Sequence, residues 1–194
     1  DHFRIRILAE DDDRNIGLIL EKLRELELYD STNVFVVSDH GFGVDKFQVN
    51  VAQSLVDAGL KASPAADDVV LASSSQAVSI HVKNHDPKRI KEIVRHLQAQ
   101  DWAGVVFTKS GGHGAAHEGW VPGTFSLDLV HLENEERGAD IVLTFDWSSD
   151  KNVFGIPGTD MTTTSGATGP RTGNASGHGS MSAWTVRNTW LAWG

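Results

Sequence analysis

The stretch Asn33-Val34-Phe35-Val36-Val37-Ser38-Asp39-His40-Gly41 decides the fold class, because it places an acid and an imidazole where an apolar run stops. A run of β-branched and aromatic residues bounded by turn formers predicts a buried strand, and ligand sites in open α/β sheets lie just beyond the carboxyl ends of such strands. A carboxylate oxygen beside an imidazole nitrogen suits a divalent metal of the zinc type. Asp39 and His40 are therefore candidate metal ligands.

Two features bear on whether this pair forms a site. Neighbouring side chains on a strand point to opposite faces, so Asp39 and His40 share an ion only if the strand ends at or before Asp39, and Gly41 and Gly43 supply a backbone that turns there. The simpler alternative is a strand-end turn with a solvated histidine. A second glycine-flanked histidine, in Gly177-His178-Gly179, favours the site, because metal ligands in α/β proteins come from distant strand ends.

Composition narrows the class of protein. The 194 residues are 40% hydrophobic and 22% charged, which is ordinary for one globular domain. The net charge of −9 argues against binding to a nucleic-acid backbone. No apolar stretch is long enough to span a bilayer, and the absence of cysteine excludes disulfides and thiolate chemistry.

Both ends of the chain suggest an excised segment. The sequence starts at Asp1 rather than at a methionine, and Asn188–Gly194 is an apolar strand pattern with no closing element. The expectation is a piece of a larger protein, and its oligomeric state is left open.

Helical and strand patterns alternate along the chain. A helix is predicted at Ala9–Leu28 from its apolar spacing, a second at Phe47–Ala58 before Gly59, and a third from Asp86-Pro87 to about Gln100. This alternation with strands predicts an α/β fold. Strands are predicted at Val34–Val37, Val69–Leu71, Ala77–Val82, Gly104–Thr108, Thr124–His131 and Ala139–Phe145.

One region has low complexity. Residues 155–179 are rich in Gly, Thr and Ser, and we predict a long loop that is too polar to pack as a core element. A loop of this length in a compact domain is either mobile or part of a site. Because it delivers His178, the second interpretation is favoured.

Most of the nine histidines have structural explanations. His113 and His117 have the spacing of two ligands on one helix face, but flanking glycines favour a surface loop. A nucleophile elbow of the Gly-x-Ser-x-Gly type and a phosphate-binding loop are both absent from the sequence. Structural roles are expected for His81, His85, His96 and His131.

Two blocks of residues resemble a known family. The first comprises Asp13-Arg14-Asn15-Ile16-Gly17, the turn Leu28–Asn33 and the strand end Val34–Phe42. The second comprises Gly177–Ser182 and the segment Val186–Gly194 that follows it. Together they resemble the type I phosphodiesterase and nucleotide pyrophosphatase family of the alkaline phosphatase superfamily, in the C-terminal part of its catalytic domain.

The resemblance implies a fold and a division of the chain. It implies an alkaline-phosphatase-like α/β fold with a mixed, mostly parallel sheet and flanking helices, incomplete at both ends. Residues 1–60 and 175–194 would form the core-like parts of a single partial catalytic domain. A small α+β insertion would occupy about residues 65–150, followed by the loop 155–179.

The resemblance also implies a site and an activity. It implies two metal ions, usually zinc, with Asp39 and His40 on one ion and His178 on the other. The substrate would be a small phosphorylated molecule such as a nucleotide or phosphodiester, and a periplasmic or extracellular location is favoured. The family's Thr or Ser nucleophile and its remaining ligands are not in this chain, so we expect weak metal binding and no turnover by the fragment alone.

Other functions stay open at this point. The Ser-Asp-His-Gly strand end is similar to those of sulfatases, cofactor-independent phosphoglycerate mutases and alkaline phosphatases, so a sulfatase or phosphomutase activity is an alternative. A non-catalytic binding module with the same fold is another, since the chain is acidic and lacks a nucleophile.

Overall fold

A strand forms at Val34–Val37 as predicted, but it is not the buried strand that the sequence suggested, because its residues alternate between half-buried and exposed. The computed structural model describes residues 2–112, 117–152, 155–163, 168–170 and 175–194. In it, β1 (Val34–Val37) runs antiparallel to β12 (Trp190–Trp193), with Val34 opposite Trp193. Together with the helix α1 (His2–Glu25), these strands belong to the first of two compact units, Asp1–Asp39 with Thr189–Gly194.

The first helix is longer than its sequence pattern predicts. α1 begins at His2, seven residues before the predicted start at Ala9, because nothing in that segment breaks a helix. Exposed ion pairs one turn apart support it, for example Arg6 with Glu10 at 2.7 Å between nitrogen and oxygen. The chain leaves the helix at Glu27, whose φ is 56°, and a 3-10 turn at Tyr29–Ser31 leads towards β1.

In the second unit, His40–Asn188, the described residues form two sheets and three shorter α-helices. One sheet has the order β10-β2-β9-β8, with β11 also paired to β2, and the other has the order β3-β4-β7-β5-β6. None of the helices in the described ranges is long and apolar enough to cross a membrane. The elements are β2 (Gly43–Val49), α2 (Val51–Asp57), β3 (Val69–Ser74), β4 (Ala77–Val82), α3 (Pro87–Gln98), β5 (Ala103–Thr108), β6 (Phe125–Ser126), β7 (Ile141–Phe145), β8 (Trp147–Lys151), β9 (Pro157–Thr163), β10 (Gly169–Pro170), β11 (Ser176–Gly177) and α4 (Ala183–Val186).

The hydrophobic core lies in the second unit, between α3 and the second sheet. α3 starts where the sequence predicts, because the Asp86 side chain accepts a hydrogen bond from the Lys88 amide and Pro87 occupies the first turn. Alternate residues of β4 are buried, as expected for a strand with one face on the core. The largest buried side chains include Leu55, Ile80, Ile93, Leu97, Leu127, Ile141, Leu143 and Phe145.

Two other predicted elements are wrong in type over part of their length. The predicted helix Phe47–Ala58 is a strand up to Val49 and a helix only from Val51, because the Asn50 side chain caps the helix by accepting from the Gln53 amide. The predicted strand Thr124–His131 is only two residues of β6 followed by a 3-10 turn, Leu127–Val130. In each case the apolar spacing continues from a strand into a helix or turn, so the spacing alone does not show where one element ends and the next begins.

The Gly, Thr and Ser-rich region is not one long loop. Pro157–Thr163 forms β9, parallel to β2, and Thr159, Asp160 and Thr162 on it are buried. Hydroxyl groups on this strand form hydrogen bonds within the protein; for example, Ser148 Oγ and Thr159 Oγ1 lie 3.0 Å apart. Polar side chains therefore build this strand without an apolar signal. Residues 164–167 and 171–174 of the region lie outside the described ranges.

Strand pairing is mixed rather than mostly parallel. Of the nine ladders formed by the described strands, only β2 with β9 and β5 with β6 are parallel. The sheet of β3 to β7 falls within the insertion predicted at about 65–150, but the division into core-like ends and an insertion stays a prediction.

Candidate functional site

Two of the three predicted metal ligands meet in the second unit. The imidazole rings of His40 and His178 are stacked, with 4.0 Å between ring centroids and 19° between ring planes. The Phe42 ring lies edge-on to both, with centroids 5.2 Å from His40 and 5.5 Å from His178. Residues 138 positions apart in sequence therefore form one aromatic cluster.

The His40 ring has a defined tautomer in its neutral form. Its Nδ1 lies 2.8 Å from the Gly41 carbonyl oxygen. Since a carbonyl only accepts, Nδ1 carries the proton and donates it, and the lone pair is on Nε2. A backbone carbonyl that orients a histidine in this way is the usual support of a metal-binding imidazole.

The backbone around His40 requires glycine. A Cβ on Gly41 would come within 2.1 Å of the Trp184 carbonyl oxygen, and the Gly41 amide donates to the Thr185 carbonyl at 2.9 Å. The sequence suggested that Gly41 is there to turn the chain. The structure shows instead that it is there for close approach to the segment around α4.

The backbone of His178 is fixed by the turn between β3 and β4. The His178 amide donates to Ser75 Oγ at 3.3 Å, and its carbonyl accepts from the Gln76 amide at 3.0 Å. Gly177 pairs with Gly43 of β2, and a Cβ on Gly177 would lie 2.6 Å from Ser75 Oγ. The glycine before His178 is thus a packing requirement.

Asp39 is the third predicted ligand. It is exposed and is the last residue of the first unit, whereas the two histidines belong to the second. Among the described residues, no group of three or more His, Cys, Asp or Glu side chains is placed to hold a metal ion.

The stacked rings constrain how they could bind metal. The lone pair of an imidazole nitrogen lies in the ring plane, so nearly parallel rings 4.0 Å apart direct their lone pairs side by side. They cannot both reach a single ion at the zinc–nitrogen distance of about 2.0–2.1 Å. For both imidazoles to bind metal, each ring would need an ion of its own.

Two of the histidines for which the sequence predicts structural roles have side-chain contacts. His85 Nδ1 lies 2.8 Å from Asp140 Oδ1, and His96 Nε2 lies 2.9 Å from Ser54 Oγ. Burial lowers the pKa of His96. His131 ends a 3-10 turn with a φ of 55°. The His113–His117 pattern cannot be placed, because residues 113–116 lie outside the described ranges.

Sequence reasoning missed a buried polar group behind the histidines. Asp160 is 1% exposed and accepts a hydrogen bond from Ser180 Oγ at 2.9 Å. Burial raises the pKa of Asp160 to about 6; repulsion from Asp45 and Asp146 adds to this, while the Ser180 and Gln76 side chains act in the opposite direction. Asp45, on the neighbouring strand, accepts from Gln76 Nε2 at 2.9 Å.

A signal for this group was present in the sequence. Thr159, Thr162 and Thr163 flank Asp160 and Met161, and β-branched residues favour strands even when they are polar. The abundance of nearby Gly and Ser concealed it.

Comparison with protein families identifies the relatives of this chain. The family model described as type I phosphodiesterase / nucleotide pyrophosphatase matches residues 8–151, which is 144 of the 194 residues. The chain belongs to this family. The matched residues include Asp39 and His40, whereas His178 lies outside them. A comparison with curated proteins finds no match.

A solved structure with a similar fold is murine ectonucleotide pyrophosphatase / phosphodiesterase 5, with a TM-score of 0.54 and 17% sequence identity. The match covers 94% of this chain, and the chain spans 39% of that protein. At this identity the likeness concerns the fold, and it confirms the predicted α/β class. The name nucleotide pyrophosphatase in the description of the family implies small phosphorylated substrates for its members.

Proposed function

We propose that this chain is part of a metal-dependent hydrolase of phosphodiester or nucleotide pyrophosphate bonds, with the nucleophile outside the chain. The stacked pair of His40 and His178 is the observation that carries the proposal. Family membership supports the reaction class and favours it over sulfatase or phosphomutase activity.

Three residues would hold the metal. In this proposal Asp39 and His40 ligate one zinc ion, and His178 ligates a second. A two-ion site stabilises the attacking and leaving oxygens of an in-line displacement at phosphorus. Because the chain has a net charge of −9, bound dications would also supply the local positive charge that an anionic substrate needs.

The surrounding residues would prepare the ligands. The Gly41 carbonyl keeps the proton of His40 on Nδ1, which leaves the lone pair of Nε2 to bind a metal ion. The Phe42 edge lies against both rings, which restricts their rotation. The substrate class is a nucleotide or another small phosphodiester.

Zinc titration by calorimetry at pH 8 tests the proposal. We expect the chain to bind zinc and to melt at a higher temperature when zinc is present, since a ligand of the folded state stabilises it. His40→Ala and His178→Ala should each weaken binding by about tenfold or more. His96→Ala is the matched control, because His96 lies on α3 in contact with Ser54.

Two results would contradict the proposal. One is the absence of zinc binding by the wild-type chain at millimolar zinc. The other is equal affinity of His178→Ala and His96→Ala. Hydrolysis of a chromogenic phosphodiester by this chain alone would overturn the placement of the nucleophile outside it.

A second candidate is a non-catalytic binding module. The observation that favours it is the lack of a three-residue metal group among the described residues. It predicts no thermal shift with zinc and a shift with an unmetallated ligand such as a nucleotide, so the same melting experiment separates the two functions.

A further inference from the structure

One buried carboxylate touches both segments that carry the stacked histidines. Asp160 Oδ1 accepts a hydrogen bond from Ser180 Oγ at 2.9 Å, and Ser180 lies two residues after His178. Asp160 Oδ2 lies against Gly43, three residues after His40, so closely that a Cβ on Gly43 would be 1.6 Å from it. The two oxygens of one side chain thus face the two histidine segments.

We propose that Asp160 is a positioning residue, which keeps the His40 and His178 segments in the register that stacks the two imidazoles. The proposal rests on the proposed function only for its relation to metal, because the stacking itself is a property of the chain.

The position of Asp160 on its strand supports this role. β9 is the parallel neighbour of β2, and Asp160 is paired in register with Asp45. β2 starts at Gly43, and on its other side Gly43 pairs with Gly177 of β11. The His40 and His178 segments are thus joined where β2 pairs with β11, and Asp160 lies on β9, the next strand beside β2.

The Ser180 side of the contact continues into a network. The Ser180 and Thr185 hydroxyl oxygens lie 2.9 Å apart, and Thr185 Oγ1 also contacts the Ser180 carbonyl at 2.9 Å. The Ser182 amide donates to Ser180 Oγ at 3.1 Å. Since each of these groups is buried, loss of the Asp160 acceptor would leave the Ser180 hydroxyl to rearrange and the segment after His178 to shift.

The interaction of Asp160 with Gly43 is a packing contact. Asp160 Oδ2 accepts no hydrogen bond from the part of the chain that the structure describes, although it is buried. Its function there is to fill the space over the Gly43 backbone. Asparagine has the same shape and keeps an acceptor for Ser180, whereas alanine removes both contacts.

The imidazole proton resonances of His40 and His178 in the metal-free chain report the stacking. In the wild type, His40→Ala should shift the His178 ring resonances through loss of the neighbouring ring current. In an Asp160→Ala background this response should be lost, and in an Asp160→Asn background it should be retained. Ser180→Ala, which removes one of the two contacts, should reduce it.

Asp140→Ala is the matched control. Asp140 is 2% exposed and accepts two hydrogen bonds at 2.8 Å, from the Val82 amide and from His85 Nδ1, in the other sheet. Its loss should lower stability but leave the mutual response of the two histidines intact.

Two results would overturn the positioning role. One is retention of the response in Asp160→Ala or, if that variant does not fold, an undiminished response in Ser180→Ala. The other is its loss in Asp160→Asn. If the wild type shows the response but binds no zinc, the metal-dependent function fails while the positioning role stands. Where zinc binds, Asp160→Ala should weaken its affinity by about tenfold or more relative to Asp140→Ala.

Discussion

The two units of the chain differ in how they are stabilised. Among the residues whose burial the structure describes, every buried hydrophobic side chain lies between Val49 and Phe145, in the second unit. In the first unit, among residues 6–39 and 189–194, no residue is buried, and large apolar side chains are exposed on both α1 and the β1–β12 ladder. The chain therefore forms regular secondary structure also in a unit where none of these residues is buried.

The largest predicted contrast is between a core residue and a helix residue. Phe145→Ala should lower the free energy of unfolding by about 3–5 kcal/mol, because it removes a fully buried ring in contact with Trp102. Ile19→Ala, on α1, should change it by less than about 0.5 kcal/mol, since Ile19 is 59% exposed. Guanidinium denaturation of both variants measures the contrast. A loss of more than about 1 kcal/mol for Ile19→Ala would break it.

The stability of the second unit should also depend on pH, because it contains the buried carboxyl group of Asp160. Burial raises the pKa of Asp160 to about 6 from 3.8, so the folded protein holds this proton more tightly than the unfolded one. Its contribution to stability is therefore largest below the unfolded pKa and falls as the pH rises to about 6, by up to about 3 kcal/mol.

The measurement compares the wild type with Asp160→Asn in urea from pH 4 to pH 7. The stability of the wild type relative to the variant should decrease across this range and then level off. A difference that is constant or rises with pH would contradict the predicted shift.

Replacing a glycine with alanine should have a smaller effect on the free energy of unfolding, and its sign should differ between the two units. Gly41→Ala should destabilise by about 1–3 kcal/mol, because the new methyl group meets the Trp184 carbonyl. Gly17→Ala should stabilise by about 0.5–1 kcal/mol, because Gly17 lies within α1 and a Cβ there meets nothing within 4 Å. Equal signs in thermal melts of the two variants would show that the units do not differ in this respect.

The smallest effect is expected for an ion pair of α1. Lys22 Nζ lies 2.7 Å from Glu25 Oε2, and both side chains are about two-thirds exposed. Lys22→Ala should change stability by no more than about 0.5 kcal/mol and should become neutral at high salt. A larger cost that persists at 1 M salt would indicate that α1 is more constrained than its exposure suggests.

The sequence predicted those features that depend on interactions between residues close together in the chain. Asp86-Pro87 defined the start of α3, and the apolar run before Asp39 defined β1. The glycine-flanked histidines His40 and His178, which the sequence singled out together, are in ring contact in the structure, and their role as metal ligands stays a prediction. These signals lie within a few residues of the feature they predict.

The remaining features depend on contacts across the sequence. Asp160 escaped prediction because a strand buried among hydroxyl groups has no apolar alternation. The need for glycine at Gly41 and Gly177 arises from Trp184 and Ser75, which are more than 100 residues away along the chain. The boundary between strand and helix at Asn50 is set by a cap within one apolar repeat.

The β1–β12 ladder also sets the order of events during synthesis. It joins residues 153 to 159 positions apart, the separations of Val37 from Trp190 and of Val34 from Trp193. At about 5–20 residues per second, β1 waits roughly ten seconds or longer on the ribosome before β12 exists. During that interval its hydrogen-bonding edge and apolar side chains are open to chaperones or to the wrong strand, so this ladder is where we expect misfolding to begin.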